Sequence, residues 1–593
     1  MKRWGQTMVN MVRGLLQAVS RFPLTVLCLI GTTGLVCYMI SLHKAPDLII
    51  QKLMFTFLLG SFLGVAAQFS CERFKRLQQL RLAVYVLSAL LIAGYYWIIR
   101  PVPNIDIAVS VRTMVAVFAM FCAFIWVPSF RGRYDFNKIA LIHFKSAFIS
   151  VLYSGVLSAG CASIIGAIDI LLFKVNQDTY GYTMAVIWIL FATLYYLSLL
   201  PRFNSDNEID RDYTADAEHY PKFLEILVSY IAIPLVAAFT LVLAAYFIKI
   251  LATLKWPVGQ LGPMVLGYSA AGLIIYVLAS LLTNRSARLY QRIFPLALIP
   301  VVIMQLVSVG IRLNAYGFTE SRYYVALFGV FAIVCGVFLS AKPVVRNGLI
   351  AVLAAGFAIF SVIPPVDAFT VSRVSQITRL ENILSTEGIL SAGKINPKPD
   401  ASLNVRLETT SILNYLDSRN YTKYLAWLPA DFKTYDKMES TFGFEPAYQG
   451  IDSQNFFYAN LDMQQPSNIS GFDMMFNINS YRRMPASDEP RYDFEVRGVK
   501  YSLTAERLSS QEVLVAVKDA NGAELISTGL YDFVKSLPSV TDSPKSALSS
   551  EDMTLNVEKD GCKLRIVLQN ISMTYSGDDA GVDYSGLVLF GAP

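Results

Sequence analysis

The chain has 593 residues, of which 54% are hydrophobic and 16% charged, and its mean hydropathy is +0.46. Soluble domains carry a charge on about a quarter of their residues, so this composition excludes an ordinary soluble protein and indicates a membrane protein. The charge is unevenly divided: 29 Lys and Arg against 14 Asp and Glu precede residue 364, a net +15, and 21 against 30 follow, a net −9. We therefore predict a basic membrane domain followed by an acidic soluble domain.

The first predicted element is an amphipathic helix over residues 1–21 that lies in the membrane interface. Trp4, Met8, Met11, Leu15 and Val19 share one face of this helix, and further apolar segments follow, which is not the pattern of a cleaved signal peptide. Residues 22–363 form the predicted transmembrane domain, with about eleven segments near the ~20 residues that cross a hydrocarbon core. The predicted spans are Phe22–Ser41, Leu53–Ser70, Leu82–Ile99, Ile107–Val127, Phe148–Leu172, Tyr182–Leu200, Phe223–Leu251, Leu261–Leu282, Ile293–Ile311, Tyr323–Ser340 and Gly348–Ile363.

The distribution of Lys and Arg predicts the orientation of these spans. With the N-terminus in the cytoplasm, segments assigned to the cytoplasmic side hold 20 of these residues and segments assigned to the outer side hold nine. An odd number of spans then places the soluble half outside the cytoplasm, so we expect a multi-pass protein of the bacterial inner membrane. The lipid bilayer is its expected partner, and no nucleic acid is expected.

The soluble half is predicted to start with a linker and coupling helix, residues 364–400, followed by an extracytoplasmic α+β domain, residues 401–593. Pro364 ends the last span, and apolar residues recur at helical spacing from Val374 to Leu384. After Gly471 short runs alternate between apolar and polar residues, and Asn521-Gly522 and Asp560-Gly561 are strong hairpin signals. These patterns predict a mostly antiparallel sheet.

Three stretches carry a family resemblance: PKFLEILVSYIAIPLVAAFTLVLAAY (Pro221–Tyr246), RLNAYGFTESRYY (Arg312–Tyr324) and SQITRLENIL (Ser375–Leu384). They resemble a large bacterial family of inner-membrane proteins catalogued as domain of unknown function four-one-five-three. The resemblance implies a multi-pass membrane architecture. It implies no activity, because none is settled for that family.

The sequence lacks the common signatures of catalysis and metal binding. It contains no P-loop, no Gly-x-Gly-x-x-Gly after a strand, no HExxH and no Gly-x-Ser-x-Gly. Its three histidines, His43, His143 and His219, are scattered over different segments. We therefore predict no catalytic, metal-binding or cofactor-binding residues and no cofactor, and an enzyme is the less favoured class.

Ionisable residues in or beside the spans are informative because each is costly in lipid. Topology places five of them near the outer interface: Arg112, Asp169, Arg312, Glu320 and Arg322. In one interpretation they form an ionic layer that acts as a gate or ligand site. In the other, Arg112 and Arg312 reach the headgroup region and Asp169 pairs with one of them. Arg322 would lie in the first turn of a helix, where the dipole disfavours a cation, so we predict an acidic partner for it.

Three functions stay open. The first is an envelope protein whose membrane domain holds an exported interaction, sensing or assembly domain, with other envelope proteins as partners. The second is a transporter or lipid-handling protein with a small-molecule ligand, because Pro234, Pro295 and Pro300 predict kinked spans that could line a path. The third is an enzyme that acts on a lipid-linked substrate at the outer face.

Overall fold

The computed structural model describes residues 2–253, 261–341, 347–448, 456–461, 469–481, 490–537, 547–574 and 581–593. The chain divides into two compact units, Met1–Leu380 and Glu381–Pro593. The boundary falls inside a helix, so residues predicted as a linker and coupling helix are shared between the two units.

The first unit is built from helices. They are α1 (Lys2–Arg21), α2 (Pro23–Leu42), α3 (Leu48–Arg73), α4 (Lys75–Gln79), α5 (Arg81–Ile99), α6 (Ile107–Trp126), α7 (Phe136–Leu171), α8 (Asp178–Ala185), α9 (Ala192–Ser198), α10 (Glu208–Ala217), α11 (Lys222–Ile226), α12 (Ile233–Thr253), α13 (Leu261–Ala279), α14 (Arg285–Tyr316), α15 (Glu320–Ala341), α16 (Gly348–Phe360) and α17 (Ala368–Thr386). A π-helical turn, Val186–Phe191, joins α8 to α9, and a second one, Leu227–Ala232, joins α11 to α12.

Within the described residues, ten helical segments are long and apolar enough to cross a membrane, which confirms a multi-pass membrane domain. The predicted number of eleven spanning helices is corrected to ten, because α16 has only 13 residues. With a rise of 1.5 Å per residue such a helix covers about 20 Å, which is less than the ~30 Å of a hydrocarbon core.

Despite its shortness, α16 together with the turn after it carries the chain back along α15. A Cβ atom on Gly348, at the start of α16, would lie 3.2 Å from Trp126 at the end of α6. After α16, the backbone carbonyl of Val366 accepts a hydrogen bond of 2.6 Å from the Tyr323 hydroxyl, in the first turn of α15. Residues 348–366 therefore return to the level at which α15 begins.

The apolar side chains of this unit divide between two buried cores and an exposed surface. One core contains Phe22, Phe69 and Phe124, and the other is centred on Tyr276 and Phe294. Many large apolar side chains are instead exposed around the outside of the helices, as is required of a surface that contacts lipid.

The second unit is an α+β domain with mostly antiparallel sheets, as predicted. Its helices are α18 (Leu403–Ser418), α19 (Thr434–Phe442) and α20 (Tyr531–Ser536). Its strands are β1 (Leu390–Ser391), β2 (Lys394–Ile395), β3 (Phe456–Leu461), β4 (Met474–Ser480), β5 (Arg491–Val496), β6 (Val499–Arg507), β7 (Val513–Asp519), β8 (Glu524–Gly529), β9 (Ala547–Leu548), β10 (Thr554–Lys559), β11 (Cys562–Thr574) and β12 (Gly581–Gly591). One sheet has the order β4-β12-β11-β3-β9 with β10 also paired to β11, a second has the order β5-β6-β7-β8, and β1 pairs with β2.

Both hairpin signals coincide with turns between paired antiparallel strands. Asn521-Gly522 lies between β7 and β8, and Asp560-Gly561 lies between β10 and β11. Asp560 has φ 49° and Gly561 has φ 82°, the left-handed conformations that a tight turn needs. Local turn chemistry therefore determined both positions.

Candidate functional site

The first candidate site is built on Asp367, in the turn that joins α16 to α17. The backbone N–H of Ala368 donates to the Ser361 carbonyl at 3.0 Å, which closes this turn. Asp367 Oδ1 then accepts hydrogen bonds of 3.1 Å from the N–H groups of Phe369 and Thr370 and so caps the start of α17. The Asp367 side chain is fully buried.

The Asp367 carboxylate has unused bonding capacity. Its Oδ2 atom has no hydrogen-bond partner within the part of the chain that the structure describes. A guanidinium nitrogen of Arg112, on α6, lies 3.9 Å from Oδ1, and the Arg112 side chain is 48% exposed. An unsatisfied oxygen on a fully buried carboxylate is rare in folded proteins.

Other polar groups of α15 and α16 lie near this carboxylate. The Ser361 hydroxyl is 3.5 Å from the Tyr324 hydroxyl, and the charges of Asp367, Glu320 and Arg112 all act on the Tyr324 phenol. Glu320 is buried at the first turn of α15. We call these five residues, Arg112, Glu320, Tyr324, Ser361 and Asp367, the Asp367 cluster.

The loop before α15 is held by α17 and by Arg322. Gln376 donates from its amide nitrogen to the carbonyls of Tyr316 and Phe318, at 2.9 and 2.8 Å. Arg322 donates to the carbonyls of Tyr316 and Gly317, at 3.1 and 2.9 Å, where it meets the negative end of α14. Gly317 follows the last residue of α14, with φ 67° and ψ 179°. The carbonyl contacts give Arg322 a structural role, and its predicted acidic partner stays a prediction.

The five residues of the predicted ionic layer lie in different surroundings. Arg112 and Glu320 belong to the Asp367 cluster. Asp169, at the end of α7, accepts from the Val175 N–H at 2.8 Å and pairs with Lys174 at 3.2 Å, so its contacts are local. Arg312 is half-buried near the end of α14. A functional role for the layer stays a prediction.

The predicted kink positions lie in two different settings. Pro234 is the second residue of α12 and directly follows the π-helical turn Leu227–Ala232, a type of irregularity that often marks functional positions. Pro295 and Pro300 are both inside the continuous helix α14. The Pro295 carbonyl would lie 3.2 Å from a Cβ atom on Gly336, so α15 approaches α14 closely there.

Sequence reasoning missed Asp367 because PPVDAFT resembles a linker. One signal could have found it: an Asp directly before a helical pattern is a typical N-cap. A buried carboxylate beside a half-exposed guanidinium and two hydroxyls can bind a cation or another hydrogen-bond donor.

The second candidate site is the polar face of the sheet β5-β6-β7-β8. Leu503, Val515, Val517 and Ile526 are buried on the opposite face of this sheet. Cross-strand register places Asp493 opposite Ser502, Ser502 opposite Lys518 and Glu495 opposite Lys500. Together with Arg491 and Thr504 these side chains line an open cavity of about 850 Å³. We call this surface the sheet face; its mixed charges suit a polar partner.

The described residues contain no group of three or more His, Cys, Asp or Glu placed to hold a metal ion. All seven cysteines are free thiols.

Comparisons with known proteins agree on family and are silent on activity. The family model described as Domain of unknown function (DUF4153) matches residues 30–395. A protein of Pasteurella multocida (strain Pm70), named only as an uncharacterized protein, is 22% identical over 245 residues, which is 41% of this chain and 41% of that relative. No solved structure matches.

Proposed function

The chain belongs to the DUF4153 family of membrane-spanning proteins, and from that premise we propose that it anchors a C-terminal interaction domain on the outer side of a bacterial inner membrane. The membrane unit would fix the position of this domain, and the domain would bind another component of the cell envelope. The observation that carries the proposal is the sheet face, a polar cavity of about 850 Å³ on a domain that has its own buried core.

The proposed orientation is supported by charge and by the path of the chain. The predicted topology assigns 20 of the 29 Lys and Arg of the membrane half to the side of the N-terminus, and such a bias is typical of the cytoplasmic side. The proposal counts the return path of residues 348–366, which follows the tenth spanning helix and comes back to the level at which α15 begins, as a further crossing. That odd number of crossings would put the second unit on the side opposite the N-terminus.

Reporter fusions test this orientation. We expect alkaline phosphatase, which is active only outside the cytoplasm, to be active when it is fused after Asp400 and inactive when it is fused after Asn347. Activity in both fusions, or only in the second, would refute the proposed topology.

Site-specific photo-crosslinking tests the interaction itself. A photoreactive amino acid at Ser502 or Thr504, on the sheet face, should give a reproducible protein adduct in intact cells. The matched control is Glu558 on β10, an exposed residue that does not line the cavity. Adducts of equal yield at Glu558, or none at Ser502 and Thr504, would contradict a specific partner at this surface.

One observation favours a second function, transport. Asp367 is a fully buried carboxylate, and one of its oxygens has no partner among the residues that the structure describes. The membrane unit around it includes two π-helical turns and internal prolines. Such groups occur on ion and proton pathways. Reconstituted vesicles should then show a proton or monovalent-cation flux that Asp367→Asn abolishes. A flux that is absent, or equal in both proteins, would exclude this function.

A further inference from the structure

A basic cavity lies at one end of the membrane unit, among the end of α3, the start of α5 and the loops after α6 and α9. Its volume is about 880 Å³, within the range of small-molecule sites. Seven of its lining residues are Lys or Arg and two are acidic, Glu72 and Asp206. A net charge of +5 around one cavity is repulsive unless an anion balances it.

Both acidic residues are already neutralised within the cavity. Arg21 forms a two-pronged pair with Glu72, with N···O distances of 2.7 and 2.8 Å, and also donates to the carbonyls of Leu200 and Pro201. Asp206 pairs with Arg133 at 2.7 Å. Because Arg21 is buried and its guanidinium is held by these contacts, we expect the Arg21–Glu72 pair to keep its position when a ligand binds.

The positive charges that face the opening lack such partners. Within the described residues, no carboxylate oxygen lies within ion-pair distance of Lys75, Arg131 or Arg202, and all three are exposed. Asp206 acts on Lys75 only through the longer-range attraction of the two charges. They come from three separate segments of the chain. Their convergence on one cavity is therefore a property of the fold, not of a single basic run of sequence.

The turn that carries Arg131 is held rigidly. Asn204 donates to the Pro128 carbonyl at 3.1 Å and accepts from the Arg133 N–H at 3.1 Å. Arg73 donates to the Phe130 carbonyl at 2.7 Å and also to the Arg131 carbonyl. A side chain at Gly132 would collide with the Pro128 carbonyl. A cation on a pre-ordered turn loses little entropy when it binds a ligand.

We propose that the basic cavity binds a phosphate-bearing anion, supplied either by the headgroup of an anionic membrane lipid or by a soluble phosphate compound. Several Lys and Arg around one cavity at the ends of membrane helices favour a multiply charged phosphate group over a single carboxylate. The proposal is independent of the function of the second unit, since every residue that it uses lies in the first.

Lipid retention and phosphate binding by the purified full-length protein distinguish the two sources. In native mass spectrometry the protein is offered cardiolipin, phosphatidylglycerol and zwitterionic phosphatidylethanolamine. In the second arm of the test, titration calorimetry with inorganic pyrophosphate measures the binding of a soluble phosphate compound. The test variant is Lys75→Ala/Arg131→Ala/Arg202→Ala. The matched control is Arg76→Ala/Arg285→Ala/Arg288→Ala, which removes three exposed basic residues that do not line the cavity.

We expect wild type and control to bind the anion equally and the test variant to bind it about 100-fold more weakly, because each of the three basic residues contributes a factor of about five near an anionic lipid. Preferential retention of anionic lipids without pyrophosphate binding assigns the site to a lipid headgroup. Pyrophosphate binding without preferential retention of anionic lipids assigns it to a soluble phosphate compound. Equal losses in test and control variants would overturn the proposal, and so would an absence of anion binding by the wild type in both arms.

Discussion

Replacing Asp367 tests whether the negative charge of its buried carboxylate contributes to the stability of the membrane unit. Oδ1 accepts two backbone hydrogen bonds of 3.1 Å, Oδ2 has no partner in the described part of the chain, and the Arg112 guanidinium is 3.9 Å away. Asp367→Asn keeps a side-chain oxygen that can cap α17 and removes the charge. Asp367→Ala removes both the cap and the charge.

The expected effects follow from these contacts. Loss of an N-cap costs about 1 kcal/mol. Two unit charges about 4 Å apart attract by about 1 kcal/mol in water and about 4 kcal/mol at an effective dielectric constant of 20. Because the Arg112 side chain is 48% exposed, solvent screening brings the net attraction to about 1 kcal/mol or less. Burial of the carboxylate costs several kcal/mol, which exceeds that attraction.

We therefore expect Asp367→Asn to unfold at or above the temperature of the wild type, and Asp367→Ala to unfold below Asp367→Asn by the equivalent of about 1 kcal/mol. Thermal unfolding of the detergent-purified protein, followed by intrinsic fluorescence, measures both. Arg112→Gln, alone and combined with Asp367→Asn, completes a double-mutant cycle whose coupling should be about 1 kcal/mol or less. If Asp367→Asn unfolds as far below the wild type as Asp367→Ala, the charge is held by stronger interactions than this geometry contains, and the reasoning is wrong.

Three further predictions concern packing, pH and the charge of the basic cavity. A Cβ atom on Gly272 of α13 would overlap the Phe294 ring, whereas one on Gly267 of the same helix would meet nothing within 4 Å. Gly272→Ala should therefore lower the free energy of unfolding by about 1–3 kcal/mol, and Gly267→Ala should leave it unchanged. Equal shifts of the unfolding temperature in the two variants would contradict this prediction. The hydrogen bond from Arg133 holds the pKa of Asp206 below its ordinary value, so the stabilising effect of this pair is present above the unfolded pKa of about 3.9 and lost as pH falls through the lower folded pKa. Asp206 should therefore stay ionised between about pH 6 and 8 and cause no change in anion binding by the basic cavity over that range. Asp206→Asn removes one negative charge and should strengthen anion binding at neutral pH. Identical anion affinities of the wild type and Asp206→Asn would show that Asp206 does not face the ligand.

The candidate site was only partly predictable from the sequence. The cost of burying a charge in lipid singled out Arg112 and Glu320, and the structure places both in the Asp367 cluster. The same reasoning singled out Asp169, whose contacts are instead with its neighbours Lys174 and Val175. Asp367 itself escaped notice because it follows two prolines, outside every predicted span.

Composition and local patterns by themselves determined the division into a membrane half and a soluble half, most of the spans and both hairpin turns. Each of these depends on residues that are close together in the chain: a run of apolar side chains, or a glycine where the backbone needs a positive φ. Tertiary structure alone decided that Asp367 meets Arg112, and that basic residues from six loops and helix ends surround one cavity. The physical reason is that the rise of a helix fixes only the depth of a residue, whereas its lateral neighbours are chosen by the packing of helices that are distant in sequence.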